Sequence, residues 1–173
     1  MTIIQALQQE LDQEAATTKR VLERVPGDRL AWKPHDKSMS LGQLSLHVAT
    51  LPGAIADISK QSPFQAPKFT QPSATSASEL IPTLEQSVAH ARHHLGTLND
   101  AALMNLWRLV DGDRELFAVP IGALFRSLMF NHWYHHRGQL SVYLRQLNVP
   151  VPSIYGPSAD ENPFAVVAKT AAV

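Results

Sequence analysis

Apolar residues recur along four stretches of the chain at the spacing of a helix face. At about 100° per residue, Ile4, Leu7, Leu11, Ala15, Thr18, Leu22 and Val25 fall on one stripe, which predicts a first helix ending near Pro26-Gly27. A second helix opens at Ser40, with Gln43 three residues later as its capping-box partner and Met39 placed to pack on Leu44. Its stripe is Leu44, Val48, Leu51, Ile55 and Ile58. His47 lies on the flank, and Pro52 predicts a kink or local loosening one turn beyond it. A third helix, from about Ser78 to Leu98, turns Leu84, Val88, Ala91, Leu95 and Leu98 inward. Pro82 is tolerable there because it lies near the first turn. The fourth opens at Pro120 with Leu124, Phe125, Leu128, His132, His136, Gln139 and Tyr143 as its inward set.

The connections are uneven. Residues 61–78 are rich in Pro, Ser, Thr and Gln and read as a long surface segment. Between the third and fourth helices, Asp111-Gly112 separates two short, partly alternating runs and predicts a small hairpin or irregular insertion. Helices with single apolar stripes are satisfied together in a bundle. The expected fold is therefore all-α, a four-helix bundle, and its two long connections argue against simple up-down-up-down order. Beyond Val149 the chain reads as irregular, and no internal repeat is evident.

At 173 residues the chain is most simply one domain with room for a real core. Acidic and basic residues number 15 each, so no electrostatic footprint for nucleic acid or an anionic membrane is present. No run approaches the ~20 apolar residues of a membrane span. The N-terminal residues lack an apolar signal-type core, and a soluble, cytoplasmic protein is the expectation. Cysteine is absent, which removes disulfides, thiolate ligands and a cysteine nucleophile.

Histidine is the outlier, with eight in the chain. His132 and His136 stand four apart, one above the other on a helix face. Two readings compete for them: a pair of core histidines each satisfied by protein partners, or two ligands of one divalent ion. His47 favours the ion, because a facing helix can supply one ligand to a pair at this spacing, as bundles do in their interiors. Three imidazoles leave coordination positions open, the arrangement of catalytic sites. His135 also leans toward the core and stays open as an alternative to His136 or as its partner. His90 and His94 share the spacing but sit to one side of their stripe, and His93 points away.

Several of these residues together resemble the DinB/YfiT-like metalloproteins. The likeness is carried by Leu46-His47-Val48, by His132-Trp133-Tyr134-His135-His136-Arg137-Gly138-Gln139-Leu140 and by Tyr143-Leu144-Arg145. Trp32-Lys33-Pro34 and the run from Pro152 through Tyr155-Gly156-Pro157 to Glu161 resemble the same family's flanking segments. The resemblance implies an up-down-down-up bundle over residues 1–162, with 163–173 left as an irregular tail. It further implies a homodimer and a divalent metal, nickel or zinc, on His47, His132 and His136, with His135 in an outer or structural role. Characterised relatives include S-transferases and an isomerase that use low-molecular-weight thiols, and many members have no assigned reaction.

An ion held by three neutral imidazoles keeps its full charge, acidifies bound water and favours thiolate over thiol. With no cysteine in the chain, thiol chemistry needs an external thiol acting on a small-molecule electrophile. The alternatives are a metal-dependent hydrolase and a non-catalytic metal- or ligand-binding bundle. No general base is evident: Glu14 lies at the edge of the first stripe, where a solvated surface role is the usual one. Gln139 shares the metal face and has two readings, a bond to a ligand water or a histidine, or a core polar group paired with backbone. Gly138 suggests close approach of a neighbouring helix, Arg137 a surface or dimer contact, and Trp133 and Tyr155 either pocket walls or packing.

Overall fold

Two capping boxes set the starts of the first two helices. Thr2 accepts from the Gln5 N–H and the Gln5 side chain accepts from the Thr2 N–H, opening α1 at Ile3–Leu22. Ser40 and Gln43 repeat the arrangement for α2, Leu41–Ile58. Each box satisfies two N–H groups that a helix start leaves without partners. This is a computed structural model, and it describes residues 1–68 and 70–165. The tail expected over 163–173 therefore lies, from residue 166 on, outside the described residues.

After α2 comes a two-residue strand, β1 (Phe64–Gln65), and then α3 (Leu80–Gly96). Strands β2 (Leu106–Asp111) and β3 (Arg114–Pro120) form the expected hairpin, turning through Gly112 at φ +58°, where glycine carries no Cβ penalty. β1 adds to β2 in parallel, giving a three-stranded sheet in the order β1-β2-β3. The fold is thus mostly helical with a small sheet rather than all-α. The connection read as surface coil contributes a strand because Phe64 stacks on the buried Trp107 ring, 6.0 Å between centroids.

The fourth helical run is continuous but not uniform. α4 (Ile121–Leu124) passes into a π-helical stretch (Phe125–Asn131) and then α5 (His132–Gln146). The wider turn shifts the buried face to Phe125, Met129, Trp133, Arg137, Leu140 and Leu144. His132, His136 and Gln139 consequently flank the core stripe instead of lying near its middle. Gly138 also departs from expectation: a Cβ there would meet nothing within 4 Å, so no helix crowds it.

Contacts fix the helix directions. Gln8 meets Arg92 and Lys19 meets Glu85, so α1 and α3 are antiparallel. Thr50 meets Ser87 and Ser59 meets His94, so α2 and α3 run parallel. Their close approach centres on Gly53, where a Cβ would lie 3.2 Å from the Ser87 Cα. Met39 with Tyr143 and Val48 with Trp133 make α2 and α5 antiparallel. Glu10 with Tyr134 and Glu14 with Arg137 make α1 and α5 parallel.

One contact follows directly from Pro52. Proline has no N–H to give the carbonyl four residues back, so Val48 loses its helical partner. The Trp133 Nε1–H takes that carbonyl at 2.8 Å, in a fully buried position. Val48 neighbours His47 and Trp133 neighbours His132, so this bond joins the two segments that carry the candidate ligands.

Candidate metal centre

His47 comes from α2, and His132 and His136 from the first two turns of α5. One ring nitrogen from each lies within 4.8 Å of the others, and among the described residues no other three such ligand side chains converge as closely. The His132 and His136 Nε2 atoms are 2.7 Å apart. The His47 ring centroid is 5.2 Å from that of His132 and 4.6 Å from that of His136. All three rings are half-buried.

The hydrogen bonds around the rings indicate which nitrogens are free. Gln139 Oε1 lies 2.7 Å from His136 Nδ1, so Nδ1 carries the proton and Nε2 is left as a lone pair. His132 Nδ1 is buried without a well-formed hydrogen bond, and the Leu128 carbonyl is the group that offers it one. The π-helical winding helps, because the His132 N–H reaches back to Ser127 and Met129 rather than to Leu128. A proton on Nδ1 again leaves Nε2 as a lone pair. Two lone pairs at this separation repel unless a proton or cation lies between them. Nitrogens bound to one divalent ion at about 2.0–2.1 Å sit roughly 3–4 Å apart, so the cluster fits such an ion with small adjustment.

Electrostatics agree. Burial first, then the neighbouring His136 and His132 rings, bring His47 from its ordinary 6.5 down to about 4. Burial also lowers His132 and His136, partly opposed by the Leu128 carbonyl and by Gln139 respectively. Neutral imidazoles are the form that binds metal. The cluster opens on a cavity of about 420 Å³, walled also by Gln43, Leu46, Thr50 and the segment Thr70-Gln71-Pro72. That segment is tied to α2 by Gln43 Nε2 donating to the Gln71 carbonyl at 3.1 Å.

The remaining candidates fall elsewhere. His135 is exposed, its ring 4.9 Å from that of His136, and it does not join the three. His90 bonds Asp57 and His94 bonds Ser59 at the α2–α3 contact. Arg137 is fully buried rather than at the surface, paired with Glu14, bonded to Thr18 and Tyr155, and stacked on Tyr134. Glu14 is thereby committed to a buried cation and is no base for this cavity. Neither Trp133 nor Tyr155 walls it. Sequence reasoning missed the Arg137–Glu14 pair; the signal available was an arginine four residues past Trp133 on the same face.

The sequence model described as the DinB family matches residues 2–163. The protein YrdA of Bacillus subtilis strain 168 is 28% identical over 152 residues, 86% of this chain and 85% of that protein. A DinB-like protein from Bacillus cereus ATCC 10987, known by crystal structure, superposes with a TM-score of 0.71 at 23% identity, covering 89% of this chain and 98% of the other. The DinB-like protein YjoA of Bacillus subtilis gives 0.62 at 22% identity, with 84% and 95% covered. At these identities the two structures speak for the fold alone.

Proposed function

The chain belongs to the DinB family, and from that premise we propose that it holds one divalent ion, nickel or zinc, on His47, His132 and His136. The ion would serve transfer of a low-molecular-weight thiol to an electrophilic small molecule. The observation that carries this reading is the meeting of three neutral imidazoles on the wall of a cavity of about 420 Å³. The helix directions described above support the up-down-down-up four-helix bundle that the family resemblance implies, with the small sheet as an addition.

A bound ion would supply one thing, a lowered pKa for a thiol or water that joins it. The chain's own residues do the rest. Gln139 keeps the His136 proton on Nδ1, so that Nε2 keeps its lone pair for the ion. The Trp133–Val48 bond holds the His47 segment against the His132 segment. Sulfur must come from a cosubstrate, because the chain has no cysteine. As the new carbon–sulfur bond forms, the leaving group departs from that carbon and the thiol proton passes to solvent. Among the described residues the cavity wall carries no aspartate or glutamate to act as a general base, so that proton has no carboxylate acceptor there.

The test is to incubate nickel- or zinc-loaded protein with a small thiol and an activated aryl chloride. Thioether and chloride should form at a rate that falls to the uncatalysed level on chelation and in His132→Ala. A rate indifferent to the chelator, or none above background, would count against thiol transfer.

A further inference from the structure

The space over the histidines continues past them. A second cleft of about 360 Å³ shares Gln43, Gln71 and His136 with the first. His136 is thus a wall of both chambers, meeting His132 through Nε2 and Gln139 through Nδ1. The Gln43–Gln71 hydrogen bond forms the bar between them.

The charge on these walls is one-sided. Among the described residues neither chamber is lined by an aspartate or glutamate, and the second is lined by Lys37. Among the described residues no carboxylate pairs with the Lys37 ammonium. This is a local exclusion, since acids and bases are equal in number along the chain. The cavity between α2 and α3, by contrast, is lined by Asp57. Donors also gather in the second cleft. Beside Lys37 stand the Ser38 hydroxyl and Gln139, whose oxygen is used by His136 and whose NH₂ group is left to donate. Three donors, one of them a cation, with no competing acid, suit a carboxylate.

We infer that the second cleft binds the carboxylate end of the small molecule whose thiol end occupies the histidine chamber. This rests on the metal reading above and adds the ligand class: a short, flexible mercaptocarboxylate that passes the Gln43–Gln71 bar with its anion toward Lys37.

The test is a titration of nickel-loaded protein, read by the thiol-dependent change in its absorption spectrum. The probes are 3-mercaptopropionate and 6-mercaptohexanoate, each set against the alcohol of the same length. At low salt, one acid or both should bind about tenfold more tightly than the matching alcohol. In Lys37→Glu that ratio should fall to about one or below while the nickel content stays at the wild-type level. Equal binding of acids and alcohols by the wild type, or a preference that survives Lys37→Glu, would overturn the assignment. Protein that retains no nickel fails the metal reading instead. The cleft is then tested with hexanoate alone: saturable shifts of the Ser38 and Gln139 amide resonances, lost in Lys37→Glu, support it, and their absence overturns it.

Discussion

His132 and His136 were readable as a pair because four residues make slightly more than one helical turn, and His47 because its helix presents it beside a proline-loosened turn. In the folded chain their rings are kept neutral chiefly by burial, His47 most strongly, with its pKa brought to about 4. The sign of the consequence follows. A depressed value means that the unfolded chain takes up a proton more readily than the folded one. In metal-free protein the stability gained by keeping these rings neutral is therefore full above the ordinary 6.5 and is lost as pH falls from there toward 4. Chelator-treated protein should show its urea midpoint falling across that window, and His47→Asn should flatten the fall. A midpoint independent of pH between those values would contradict the burial of the His47 ring. Arg137 was not readable in the same way. An arginine on a helix is ordinarily placed at the surface, and nothing local in the sequence marks Glu14, 123 positions earlier, as the partner that permits its burial.

At the scale of elements, the coupling of α2 to α5 rests on a carbonyl that Pro52 leaves free and Trp133 takes. Pro52 was legible as an irregularity beside His47, but its partner was not, because an indole N–H can serve any carbonyl the tertiary fold brings to it. Trp133→Phe should cost about 1–3 kcal/mol, the usual penalty for a buried polar group left without a partner. In a Pro52→Ala background the restored N–H can return to Val48, so the same change should cost less there. A double-mutant cycle by urea denaturation measures the difference. Additive effects of the two substitutions would show that Trp133 and Pro52 do not act through the shared carbonyl. The π-helical stretch was likewise hidden. Spacing at the α-helical period puts the inward face on His132 and His136, whereas winding over Phe125–Asn131 sets it on Met129, Trp133 and Arg137 and leaves the histidines at the edge, facing the cavity.

Across the whole molecule, the number, order and approximate limits of the helices follow from apolar spacing and, for the second, from the capping box its residues suggest, whereas the Thr2–Gln5 box of the first was not read. The hairpin was legible from Asp111-Gly112. The parallel strand at Phe64–Gln65 was not, since two residues carry no periodicity and their pairing depends on β2 more than forty residues away. The cavity roof at Thr70-Gln71-Pro72 escaped notice for the same reason: its place is set by Gln43 and not by its own composition. Among the described residues no helix is long and apolar enough to cross a membrane. What would join these levels is the proposed ion, held between an early helix and a late one. The direct measurement is the metal content of purified protein and of His47→Ala, His132→Ala and His136→Ala, with His90→Ala and His94→Ala as controls. About one divalent ion per chain is expected in the wild type and in both controls, and its loss in each of the three variants at His47, His132 and His136. Full occupancy in any of those three, or loss of the ion in the controls, would contradict the metal assignment.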